Sequence, residues 1–129
     1  MNRILVLAAA ALIFNPVFAQ DEPDRADLEV VLPPDAQKCV LPASPDKIPE
    51  NADLEQLKVA KAQVAAFQQE LTTFRSCLQK AEEEDDLTPG NKQAIVNSFN
   101  YSVEMEERVA NRFNDAVKDY KDRQAAANG

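Results

Sequence analysis

The sequence predicts an all-α protein: an antiparallel two-helix hairpin, coiled-coil-like in its spacing, with a proline-rich extended N-terminal strap clipped to it by a disulfide. Three observations predict this. Apolar residues recur at alternating intervals of three and four along two long stretches joined by a short acidic link. Six of the eight prolines (Pro23, Pro33, Pro34, Pro42, Pro45 and Pro49) crowd the segment just before the first stretch. The two cysteines, Cys39 and Cys77, fall one in each region, behind a leader that directs the chain to an oxidising compartment.

Residues 1–19 read as that leader. Met1-Asn2-Arg3 supplies one positive charge, and Ile4 to Phe14 runs eleven apolar residues without a break. Asn15-Pro16 ends the run, and Val17 and Ala19 stand at −3 and −1 of a cleavage site before Gln20. The apolar run is too short to span a bilayer, so the expectation is a cleaved signal peptide, a periplasmic or secreted chain, and no stable membrane anchor afterwards. In such a compartment a Cys39–Cys77 bridge is the default, with free thiols or an interchain bridge as the alternatives.

Residues 20–51 form the acidic, proline-rich segment. Proline lacks an amide donor and restricts the residue before it, so this stretch is expected to be extended and largely non-helical, with Gln20 to Asp27 disordered. Residues 52–129 form the hairpin, with helices expected at about 53–84 and 89–125. Asp53 caps the first helix with Gln56 completing a capping box. Leu57, Ala60, Val64, Phe67, Leu71, Phe74, Leu78 and Ala81 then hold a 3-4 spacing over four heptads. Glu82 to Asp86 places negative charge at the negative end of the helix dipole and ends it. Thr88-Pro89 restarts the chain as N-cap and first helical residue. The second stripe is Val96, Phe99, Val103, Glu106, Ala110, Phe113, Val117 and Tyr120. A short link makes the helices antiparallel neighbours, pairing Leu71 with Val103 and Val64 with Ala110. Glu106 is the misfit in this seam: it either reaches sideways to water or a base, or it sets register or meets a ligand.

One flank of the seam is polar. The other carries Val59, Ala66, Thr73 and Cys77 opposite Ile95, Ser102, Met105, Val109 and Ala116, a candidate binding groove. The strap is long enough to lie in it. From Asp53 to Cys77 the helix rises roughly 36 Å, while the 14 residues from Cys39 to Asp53 reach roughly 43 Å in a polyproline conformation. Stapled at Cys77, the strap is expected to bury Val40, Leu41 and Ile48 there.

No catalytic constellation is visible. The chain has no histidine, which removes Ser-His and Cys-His pairs and histidine metal sites. Ser44-x-x-Lys47 matches a known motif, but the surrounding prolines forbid the helix its chemistry requires. Glu82 to Asp86 lacks the spacing and turn glycine of a calcium loop, and Asn100-Tyr101-Ser102, a glycosylation sequon, falls mid-helix. No cofactor or metal is expected. A formal charge of −8 disfavours nucleic acid and anionic lipid as partners.

The segments Ile48-Pro49-Glu50-Asn51, Phe74-Arg75-Ser76-Cys77-Leu78 and Val109-Ala110-Asn111-Arg112-Phe113-Asn114, ending in Tyr120-Lys121, resemble an uncharacterised family of small exported proteobacterial proteins. Its members pair a Cys- and Pro-rich N-terminal strap with two helices, and Glu50-Asn51 departs from the Asp-Gly turn of that pattern. The resemblance implies the architecture and no activity. The expectation is a non-enzymatic periplasmic interaction or structural module, as a homodimer or with a periplasmic protein partner. The alternative is a chaperone-like binder of a small hydrophobic ligand or an unfolded client.

Overall fold

The computed structural model describes residues 24–129, and the leader with its cleavage site lies outside them. The described residues form helices and no strands: a 3-10 turn at Arg25–Leu28, α1 at Pro34–Gln37, α2 at Leu54–Glu82 and α3 at Pro89–Asn128. The N-terminal segment is therefore less uniformly extended than its prolines suggest. Arg25–Leu28 turn because Asp24 caps the amide of Ala26, and Pro34 starts α1, where a missing amide costs nothing.

Both long helices begin on reciprocal capping boxes. The Asp53 carboxylate accepts from the Gln56 amide at 2.8 Å while the Gln56 side chain accepts from the Asp53 amide at 2.9 Å. Thr88 and Asn91 repeat the arrangement at α3. α2 ends at Glu82, where the acidic run begins. The helices pack as antiparallel neighbours, and at about 1.5 Å per residue α3 is roughly 60 Å long against about 44 Å for α2. The C-terminal turns of α3 consequently have little of α2 to lie against.

The stripe expected on α2 is the one the structure buries. Leu57, Ala60, Phe67, Leu71, Phe74, Leu78 and Ala81 are all in the core, with Val64 half-buried. The stripe expected on α3 is displaced. Ala94, Ile95, Ser102, Met105 and Val109 are the buried residues, whereas Val96 is 43% exposed and Phe99, Val103, Glu106, Ala110, Phe113, Val117 and Tyr120 are only half-buried. α3 is rotated by about one residue from the expected seam, some 100° on a helical wheel. Two clusters make the core. Phe74, Leu78, Ala81 and Ile95 gather with Ala36 near the hairpin turn, and Phe67, Leu71, Met105 and Val109 gather farther along.

The strap joins Cys39 to Cys77 with a Cα–Cα separation of 5.6 Å and then runs back to the start of α2. The residues it turns inward are Cys39, Pro42, Pro45 and Ile48, one in three, the repeat of a polyproline helix. The expectation that Val40 and Leu41 are buried is therefore corrected. They fall at the outward positions of that repeat, and Val40 is 80% exposed. At the far end of the strap Arg123 of α3 donates to the carbonyls of Glu50 at 3.2 Å and Ala52 at 2.7 Å, tying the turn before α2 to the hairpin. At the near end the chain between Asp27 and Val31 crosses the start of α3. Asn91 donates to the Val31 carbonyl at 2.8 Å, and Gly90 leaves the room for this crossing.

Candidate interaction surface

The two flanks of the α2–α3 seam differ in what covers them. On a helix of 100° per residue, Cys77 and Arg75 point to opposite sides of the stripe on α2, and the bridge fixes the strap on the Cys77 side. Two of the hollows along the strap are lined by both long helices. One of about 360 Å³ lies between Pro45–Glu50 and an apolar floor of Ala60, Val64, Val109 and Ala116, with Arg112, Asp115 and Asp119 at its mouth. The other, about 340 Å³, lies between Leu32, Ala36, Cys39 and Leu41 on one side and Phe74 and Tyr101 on the other.

The residues expected to line one groove separate into three settings. Ile95, Met105 and Val109 are buried in the seam, because α3 is rotated toward them. Ala116 is half-buried and shares the strap-side hollow with Val109. On α2, Ala66 and Thr73 are exposed and Val59 is 59% exposed at the edge of the strap, beside Ile48 and Pro49. The strap thus runs where an empty groove would have been.

Among the described residues, none of the strap lines the hollow on the opposite flank. Val96, Phe99, Val103, Ala110 and Val117 line that flank along α3, and the hollow, of about 250 Å³, opens there between Leu78, Ile95, Val96 and Phe99. Lys61, Gln68 and Gln79 of α2 border it as exposed polar residues. A second stripe of apolar residues on α3 is therefore left half-covered after α2 and the strap have packed.

Between the seam and this flank lies a polar network. Arg75 forms an ion pair with Glu106, their side chains being 18% and 28% exposed. Its Nε donates to Ser102 Oγ at 2.9 Å, and its guanidinium carbon sits 5.9 Å from the centroid of the Phe99 ring. Ser102, wholly buried, donates in turn to the Phe99 carbonyl at 2.6 Å. Glu106 therefore reaches sideways to a basic neighbour, and no buried side-chain nitrogen or oxygen among the described residues lacks a partner. The sequence singles out Glu106 but not its partner Arg75, nor the buried Ser102 that Arg75 also reaches. The signal was a serine in an otherwise apolar position with an arginine one residue past the facing stripe.

Chemically, the surface offers contact and shape. Among the described residues no group of three or more Cys, Asp or Glu side chains is placed to hold a metal ion. No described helix is long and apolar enough to cross a membrane, and the Cys39–Cys77 bridge is of the kind that forms outside the reducing cytoplasm. No family model matches this chain, and neither a curated protein nor a solved structure is found similar to it.

Proposed function

We propose that the protein is exported by its leader, processed after Ala19, and works as a small helical interaction module. In this reading the disulfide-held strap closes one flank of the hairpin and leaves the other to a protein partner. The observation that carries it is the second apolar stripe of α3, Val96, Phe99, Val103, Ala110 and Val117, which neither α2 nor the strap covers fully. A solvated helix gains nothing from a second regular apolar stripe, whereas a partner helix requires one. The oxidised bridge and the n-, h- and c-regions of the leader support the periplasm or the extracellular space as the place of work.

A second reading, a binder of a small amphiphile, is favoured by the hollow of about 360 Å³ under the strap, whose floor is apolar and whose mouth is charged. Photo-crosslinking in intact cells separates the two. A photoreactive residue at Val96 is expected to give a protein adduct, and one at Gln63, beside the strap-side hollow, is expected to give none. Adducts at Gln63 alone would replace the interaction reading with the binder.

A further inference from the structure

We infer that residues 24–39 form a redox-latched lid on the turn end of the hairpin. A dithiol that reduces the Cys39–Cys77 bridge opens the lid while α2 and α3 stay paired, and re-oxidation closes it. The lid lies across both long helices. Its 3-10 turn and the residues after it cross the start of α3, where the Glu29 carbonyl lies over Gly90. Its helix α1 seats Ala36 in the buried cluster of Phe74, Leu78, Ala81 and Ile95. Leu78 and Ile95 also line the hollow on the opposite flank, beside Val96 and Phe99. Opening the lid therefore widens an apolar surface that is already half-open on that side.

Little besides the bridge holds the lid down. Pro33 and Ala36 are buried and Leu32 is half-buried, whereas Leu28, Val30 and Val31 are exposed and no residue of the 3-10 turn is buried. Among the described residues one hydrogen bond ties the lid to the long helices, from Asn91 to the Val31 carbonyl at 2.8 Å, and no ion pair does. α1 has four residues, far below the ~12–15 at which a helix begins to hold in water unaided. These few contacts are small against the entropy of ordering a segment of this length. The bridge makes up the difference by fixing Cys39, at the end of α1, beside Cys77. The seam has support of its own, because Phe67, Leu71, Met105 and Val109 form a second buried cluster beyond the lid.

The latch is open to attack. Cys39 and Cys77 are both half-buried, and Cys77 lines an open hollow of about 530 Å³ with Thr73, Ser76 and Lys80. A thiolate of the dithiol entering there bonds to Cys77 Sγ, the S–S bond breaks, and Cys39 leaves as a thiolate that takes up a proton. The second thiol of the reductant then attacks the sulfur of the first and releases Cys77 as a thiolate, protonated in turn. The bridge gains two electrons and two protons, and the dithiol gives up the same and departs as a disulfide.

The test uses the oxidised mature chain without denaturant, at a temperature where dithiothreitol leaves the helical circular dichroism unchanged. Dithiothreitol is expected to convert both cysteines to thiols, to speed trypsin cleavage after Lys38 at least tenfold, and to raise the fluorescence of a dye that binds apolar surface. Cleavage after Arg75, inside the seam, should change less than twofold. Re-oxidation with oxidised glutathione should return cleavage after Lys38 to its starting rate. The Cys39→Ser/Cys77→Ser variant should be cut after Lys38 at the fast rate with or without dithiothreitol. A bridge that resists dithiothreitol in the folded protein would overturn the accessible latch. Equal cleavage after Lys38 in both redox states would overturn the lid, and a parallel rise after Arg75 would overturn it by showing that the hairpin loosens as a whole.

Discussion

Removing the Cys39–Cys77 bridge tests how the strap stabilises the hairpin. The bridge closes a loop with a sequence separation of 38. In the chain-entropy description such a closure stabilises the folded state by about 4 kcal/mol, an upper figure because strain and denatured-state structure reduce it. For a domain of this size the unfolding entropy converts that into a loss of roughly 15–20 °C in melting temperature. The double variant Cys39→Ser/Cys77→Ser avoids a stray thiol and is the appropriate perturbation. The two core clusters, which lie chiefly between α2 and α3, survive the loss, so most of the helical circular dichroism should persist at low temperature. The assay is thermal melting by circular dichroism of the oxidised protein, the reduced protein and the double variant. A fall of only a degree or two would refute loop closure as the source of stability. Loss of all helicity on reduction would refute the independence of the seam from the strap.

Three further outcomes follow from single positions. Gly90→Ala places a Cβ about 2.0 Å from the Glu29 carbonyl oxygen, so the segment through Val31 must lift off α3. The alanine gains about 1 kcal/mol of helix propensity and the lost Asn91–Val31 hydrogen bond costs about as much, so the melting temperature should hold while trypsin cuts after Arg25 much faster. Glu106→Leu strands the partly buried Arg75 guanidinium and should cost about 1–3 kcal/mol, whereas Arg75→Met/Glu106→Leu should recover much of it; a double-variant cycle in urea showing simple additivity would contradict this. Leu71→Ala opens a cavity at a fully buried site and should cost about 3 kcal/mol, and a loss below 1 kcal/mol in the same assay would place Leu71 outside the core.

α2 was legible in the sequence because its apolar residues leave a single choice of phase. Polar residues flank Leu57, Leu71 and Phe74 on both sides, and Asp53 with Gln56 marks the start. α3 offers no such choice. Ile95-Val96, Val109-Ala110 and Ala116-Val117 are adjacent apolar pairs, so two stripes 100° apart fit equally well, and the stripe with more aromatic bulk looks the better core. What sets the phase is tertiary: the Arg75–Ser102 hydrogen bond and the strap beside Val109 and Ala116. The same ambiguity hid the candidate surface. Residues read as a groove, Ile95, Met105 and Val109, turned out to be the seam, and residues read as the seam became the open flank. The strap's anchor was legible from chain length and compartment, but its phase was not, because Val40 and Leu41 are more apolar than the prolines that turn inward. Gly90 carried a signal of its own: a glycine inside the first turn of a helix, where it is costly, points to a close backbone approach.

The whole reading depends on the chain reaching an oxidising compartment and being held there as a bridged, processed protein. Intact mass of the protein recovered from the periplasmic fraction without reductant tests this in one measurement. The result it predicts is a chain beginning at Gln20 and two hydrogens lighter than its reduced form. A full-length chain in the membrane pellet, or a mass showing both thiols reduced, would contradict it.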